Sequence, residues 1–347
     1  MNRKNFLKTL DAKTLPGNGL LQEVQAAAEK TTTMKSIEGS WFEFQHHSAD
    51  EGKYWNLTLE KFTAEQWDAK VKEIAEAGFR YLVLMNVAIY GKSFYPTSLL
   101  PKHEMACEDP LEVVLTAADK YGIRFFVSNG FFGDWRNPSL LMKDPEVNKL
   151  RMKAMNETAE KYGHHKSFYG WYYPNETGII GHYDDFFIDY VNQSSAEAAR
   201  LLPNAKTLIA PYGTRHVAFD DKYVHQLEQL DVDFIAYQDE IGVEKTQVEE
   251  SAGFFENLYK LHKKAAKSRL WADVEVFRFE GKVYHSALLP APAERVIQQL
   301  EAVSPYVEKI LIYQYTGMIN KTEGPTFAGH PDSLDLYEKL AKCKALK

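Results

Sequence analysis

Residues 167–177 read SFYGWYYPNET, an aromatic run of strand character that passes straight into Pro174, Asn175 and Glu176. An apolar strand with an acid at its C-terminal tip is the arrangement by which an α/β barrel presents its working groups. Taken alone, Glu176 reads first as a solvated acid on the loop after a buried strand. A second strand changes that reading: Arg269–Phe277 (RLWADVEVF) also carries an acid, Glu275, near its tip.

The rest of the chain repeats one unit around these two strands. Gly39–His47 is the first strand and Phe79–Val87 (FRYLVLMNV) the second, apolar enough to be buried on both faces of a parallel sheet. Thr63 and Gln66 form a capping box for the helix between them, which Gly78 stops. Asp109-Pro110 and Asp144-Pro145 each start a helix with an N-cap acid and a proline in the first turn, and Gly122 and Gly163 end those helices. Ile123–Asn129 is the third strand and the opening stretch the fourth. Lys206–Pro211, Asp233–Gln238, Arg269–Phe277 and Lys309–Tyr315 complete the set, with helices expected over about 182–202, 221–230, 247–267, 292–304 and 331–345. Eight strands alternating with eight helices predict an α/β fold, a closed (β/α)8 TIM barrel spanning residues 38–347. No glycine-rich phosphate loop follows the first strand, which removes the main reason to prefer an open doubly wound sheet.

Composition narrows the class. With 45% hydrophobic and 26% charged residues, and no apolar run near 18 residues, the chain reads as globular without a membrane span. A net charge of −7 argues against nucleic acid as partner. Cys107 and Cys343 lie far apart without metal-ligand spacing and read as free thiols. Residues 1–37 are expected to form a short arm with one helix over 20–30. Its first residues, MNRKNFLK, resemble a twin-arginine signal, but no apolar region follows, so a cytoplasmic or periplasmic location stays open.

The period of two along the seventh strand sets Trp271, Asp273, Glu275 and Phe277 on one face and Ala272, Val274 and Val276 on the other. The small apolar set suits the helices, so Asp273 and Glu275 should face the barrel axis. Two inward acids are costly as packing, because an unpaired buried carboxylate loses several kcal/mol or takes up a proton; a structural network accounts best for Asp273. Paired carboxylates are what glycosidic bond cleavage requires.

Here the residues resemble clan A glycoside hydrolases, (β/α)8 barrels with Asn-Glu ending strand four and a Glu nucleophile ending strand seven. The resemblance implies Glu176 as acid/base, Glu275 as nucleophile, and Asn175 holding the sugar hydroxyl beside the anomeric carbon. It implies a retaining glycosidase acting on an oligosaccharide or glycoside. GWYYPNE and AYQDEIG further resemble a bacterial family of barrels classed as glycosyl hydrolases without a settled activity. Tyr313-Gln314-Tyr315 departs from the clan, which commonly has Trp at the end of strand eight.

Strand six ends in Gln238-Asp239-Glu240, and Asp239 or Glu240 could replace Glu275 as partner of Glu176. An inverting enzyme would then hold its carboxyls about 6.5–9.5 Å apart instead of about 5–5.5 Å. Trp41, Trp135, Tyr173, Tyr212, Tyr313 and Gln314, together with Gln238 and Asp239, are the candidate substrate contacts. Tyr90, Trp171, Tyr237 and Tyr315 also stand at or near strand ends, and the long loop 88–108 could form one wall. The pairs His46-His47 and His164-His165 should point their rings apart, so no metal or other cofactor is expected. A metal-dependent sugar enzyme would need His46 to meet Glu176, Asp239 or Glu275. A sugar-binding barrel without catalysis is the non-enzymatic reading.

Overall fold

The computed structural model describes residues 34–176 and 178–346, so most of the expected arm lies outside the described residues. The chain forms a (β/α)8 TIM barrel. Its strands are β1 (Gly39–Phe42), β2 (Tyr81–Leu84), β3 (Arg124–Ser128), β4 (Phe168–Tyr172), β5 (Lys206–Ile209), β6 (Phe234–Gln238), β7 (Arg269–Glu275) and β8 (Lys309–Tyr313). Each pairs in parallel with the next, and β8 pairs with β1 to close the sheet.

The principal helices are α1 (Ala64–Glu76), α2 (Pro110–Tyr121), α3 (Pro145–Tyr162), α4 (Asp185–Leu201), α5 (Asp221–Gln229), α6 (Val248–Ala265), α7 (Ala293–Val303) and α8 (Asp332–Lys342). Their ends follow local chemistry. The Thr63–Gln66 capping box opens α1, and Asp109 and Asp144 accept backbone N–H groups ahead of Pro110 and Pro145. Gly122 ends α2 in the left-handed conformation. Gly163 ends α3 with right-handed backbone instead, so its role as a stop is not conformational.

Alternation along the strands creates two cores. Outward residues such as Phe42, Leu82, Trp171, Tyr237 and Val274 pack against the helices. Inward residues fill the axis, where Phe234 stacks on Trp271 with ring centroids 4.2 Å apart and Tyr81 and Phe126 meet the same indole edge to face. This aromatic filling closes the barrel below Asp273. The open space lies above it, at the C-terminal ends of the strands.

Gly170, in the GWY run, marks a tight approach between neighbouring strands. A Cβ there would lie 2.2 Å from the Lys206 carbonyl oxygen of β5 and 2.9 Å from the Phe126 ring. Gly170→Ala is therefore expected to destabilise the fold by roughly 1–3 kcal/mol through overpacking, read as a lower urea midpoint. An unchanged midpoint would mean that β4 and β5 part without cost.

Three features depart from the sequence pattern. β1 ends at Phe42, and residues 43–50 form bends and turns. β7 ends at Glu275, while Phe277–Phe279 pairs antiparallel with Leu288–Pro290 as a hairpin above the barrel. A short helix, Pro138–Lys143, is inserted before α3. Among the described residues no helix is long and apolar enough to cross a membrane.

Candidate active site

Above the aromatic filling lies a cavity of about 420 Å³. Trp41, Asp273 and Tyr313 belong to its lining from β1, β7 and β8, and Glu176, Gln238 and Glu275 reach it from the tips of β4, β6 and β7. Loops raise the walls: Phe131, Trp135 and Pro138 after β3, Tyr212 after β5, Val243 and Lys245 after β6, and Phe277, Phe279 and Tyr284 from the hairpin region after β7. None of the lining comes from 88–108, the loop expected to form a wall. That loop instead supports the rim from outside, through the Tyr90 hydroxyl on the His47 carbonyl.

Glu176 is held by two donors. The Tyr172 hydroxyl donates to Oε1 at 3.0 Å and the Gln238 amide to Oε2 at 2.8 Å, while the same amide nitrogen donates to the Ala210 carbonyl at 2.9 Å. Burial pushes the Glu176 carboxyl up to about 7; its two hydrogen bonds oppose the rise and Glu240 adds to it.

Glu275 stands on a buried platform. Its Oε2 accepts the Val243 N–H at 2.9 Å, and its own N–H donates to Asp239 Oδ1 at 3.1 Å. Gln299 on α7 ties the platform together, donating to Asp239 Oδ2 at 2.7 Å and to the Glu275 carbonyl at 3.0 Å. Burial raises both acids above the ordinary carboxylate range, and the negative charge of Asp239 pushes Glu275 further. Gly242 permits the close approach of the β6 loop, since a Cβ there would lie 2.9 Å from Glu275 Oε2.

Asp273 is 2% exposed, and its Oδ1 has no hydrogen-bond partner. Burial raises it well above the usual range, and Glu275, Asp239 and Glu176 all act in the same direction. Glu240 is better served: the Gly213 and Thr214 N–H groups each donate to its Oε2 at 2.9 Å, with Lys245 Nζ 3.7 Å from Oε1. Five carboxylates thus line the cavity (Glu51, Glu176, Glu240, Asp273, Glu275), and Lys245 is the only lysine or arginine doing so among the described residues. Burial raises Glu51, Glu176, Asp273 and Glu275 among them above the ordinary carboxylate range, so carboxyl protons persist here closer to neutral pH than on free acids.

The fold brings Glu176, Glu275, Gln238, Trp41, Trp135, Tyr212 and Tyr313 together on this cavity. Four expected contacts stand off its lining. Tyr173 faces the helices and meets Ser195 Oγ at 3.1 Å, because the alternation that points Tyr172 inward points its neighbour outward. Asn175 is buried off the lining with its Oδ1 unpartnered. Asp239 lies beneath Glu275, and Gln314 is buried with its amide donated to Glu43 Oε1 at 2.7 Å. Trp171 and Tyr237 belong to the outer core. Tyr315 is buried against α1 through Glu73.

The histidine expectation is corrected too. His46 and His47 stack, with centroids 4.3 Å apart and planes 22° from parallel, and both line the cavity. Strand alternation would separate them, but β1 has already ended, and a bent backbone lets adjacent rings face one way. Glu51 and Lys245 carry no sequence signal, since each sits on an irregular loop whose path is set by its neighbours.

A family model described as Domain of unknown function (DUF4434) matches residues 37–328. No curated protein matches. Among solved structures, a "putative alpha-L-fucosidase" from Bacteroides thetaiotaomicron VPI-5482 superposes with a TM-score of 0.71 at 17% identity, covering 91% of this chain and 95% of that one. The endo-beta-1,4-mannanase from Thermotoga petrophila gives 0.57 at 11% identity over 90% and 77%. The beta-galactosidase from Marinomonas ef1 gives 0.58 at 11% over 89% and 59%. At these identities the likeness is one of fold, a barrel shared with glycoside hydrolases.

Proposed function

The chain belongs to the family described as Domain of unknown function (DUF4434), and from that premise we propose that it is a retaining glycoside hydrolase. The observation that carries the reading is that Glu176 and Glu275, from the tips of β4 and β7, open on one cavity in which Glu176 is raised to about 7.

In this reading Glu176 keeps its proton up to neutral pH and gives it to the leaving glycosidic oxygen. Glu275 attacks the anomeric carbon with Oε1, since Oε2 is held by the Val243 N–H. The glycosyl–enzyme ester is then opened by water, which Glu176, now ionised, deprotonates. Trp41, Trp135, Tyr212 and Tyr313 offer ring faces to the sugar. Gln238 is a better candidate than Asn175 for a sugar hydroxyl, because it lines the cavity and Asn175 does not.

One observation favours a second assignment. Asp273 lines the same cavity, feels the charge of Glu176 and has an unpartnered oxygen, so it could replace Glu275 as nucleophile.

The test is a panel of aryl and natural glycosides, including fucosides, mannosides and galactosides, with the anomer of the first product followed by NMR. Turnover with net retention is expected. Inversion would overturn the retaining step, and tight sugar binding by folded protein without turnover would leave a binding barrel. The active form needs Glu176 protonated and Glu275 ionised, and burial holds Glu176 at about 7 while burial and Asp239 hold Glu275 at about 8. That form is a minority of the free protein, and the two limbs of kcat/KM should lie close together between about pH 7 and pH 8. A narrow bell follows, and activity rising steadily above pH 8 would be incompatible with Glu176 as the acid.

A further inference from the structure

We propose that Glu43, His46 and His47 form a binding site for one divalent transition-metal ion of the zinc class, in the wall of the cavity, with Glu51 able to supply a fourth ligand. Each of the first three offers one ligand atom, and these atoms all lie within 4.8 Å of one another. Each also carries a buried atom without a hydrogen-bond partner: Glu43 Oε2, His46 Nε2 and His47 Nδ1. Glu43 is fully buried and His46 is 1% exposed, so bulk water does not satisfy them.

The surroundings hold these groups in the way ligands are held. The Trp55 indole and the Gln314 amide both donate to Glu43 Oε1, at 2.8 and 2.7 Å, which anchors the carboxylate and leaves Oε2 free. His46 Nδ1 lies 3.0 Å from the Ser48 N–H and 3.1 Å from the Ser48 carbonyl, so Ser48 serves either tautomer, and the one that donates to the carbonyl presents a lone pair at Nε2. Asn56 grips the His46 backbone from both sides, accepting its N–H at 2.7 Å and donating to its carbonyl at 3.2 Å. Glu51 Oε2 stands 3.8 Å from His46 Nε2.

Two imidazoles with one or two carboxylates is a donor set suited to zinc and its neighbours, and less to calcium or magnesium, which take oxygen. With bonds of about 2.0–2.1 Å, binding requires the stacked His46 and His47 rings, now 22° from parallel, to rotate so that both in-plane lone pairs meet on one ion. A second cluster, Glu112 with His164 and His165, differs in kind. Both His165 ring nitrogens already face carboxylates, Asp119 at 2.8 Å and Glu112 at 3.1 Å.

The test uses the full chain stripped by a chelator and titrated with Zn²⁺ by calorimetry, then with Co²⁺ while its visible d–d absorption is followed. One ion per chain is expected, with a cobalt spectrum typical of nitrogen and oxygen ligands. His47→Ala and Glu43→Gln should each weaken Zn²⁺ binding about 100-fold or more, against no change for His164→Ala. His47 is only partly buried, so a stripped His47→Ala protein that melts like stripped wild type separates lost binding from lost folding. Absence of stoichiometric uptake by folded wild type would overturn the proposal. So would undiminished binding by His47→Ala, or loss of binding in His164→Ala.

Discussion

Glu275→Ala is expected to lower kcat/KM at least about 10³-fold on every glycoside the protein cleaves, whatever the leaving group, because no covalent intermediate forms without the attacking carboxylate. Glu176→Ala should behave differently. Its loss should be about 10²–10⁴-fold for alcohols that need protonation, and much smaller for bond breaking with an acidic phenol as leaving group. Azide separates the two roles again. Added to Glu176→Ala it should restore turnover and yield a glycosyl azide of retained configuration. Added to Glu275→Ala it should occupy the space of the missing side chain and yield the inverted azide. Loss of activity in Asp273→Asn beside a nearly active Glu275→Ala would transfer the nucleophile to Asp273.

The second large effect concerns stability, and its sign opposes activity. Asp273→Asn should raise the free energy of unfolding at pH 8 by about 2 kcal/mol or more, because it removes a buried carboxylate whose Oδ1 has no partner. The native state holds the Asp273 proton more tightly than the unfolded chain does. Below the unfolded pKa, about 3.9, both states are protonated and the carboxylate costs nothing. As pH rises above that value the unfolded chain releases the proton first, and native stability is lost until the folded group also ionises. The advantage of Asp273→Asn should therefore be small near pH 4 and grow toward pH 8. Glu176 sets the scale for such groups: a rise from 4.5 to about 7 corresponds to roughly 3 kcal/mol. Chemical unfolding of both proteins at pH 5 and pH 8 measures the difference. A gain equal at both pH values would point to packing, and a loss would mean that the carboxylate has a stabilising partner.

Much of this architecture is legible one residue at a time. Capping at Thr63, Asp109 and Asp144 depends on side chains reaching backbone groups two or three positions away, so local spelling carries it. The inward set Trp271, Asp273 and Glu275 follows from a period of two inside a regular strand, and the two cores bear it out with Trp271 inside and Ala272 and Val274 outside. Past the end of a strand the pattern no longer binds. Phe277, on the hairpin past the end of β7, still lines the cavity beside Glu275, but His46 and His47 turn the same way because β1 is already over.

By itself, then, the sequence determined the eightfold alternation, the strand tips carrying Glu176 and Glu275, and the inward face of β7, since each depends on periodicity or on capping within a few residues. Only the tertiary structure decided which acids share a cavity, that Asp239 supports Glu275 from beneath, and that Glu43, His46, His47 and Glu51 converge beside them. Those relations join side chains from loops whose paths are set by packing across the barrel mouth, and no repeat along the chain records a distance through space.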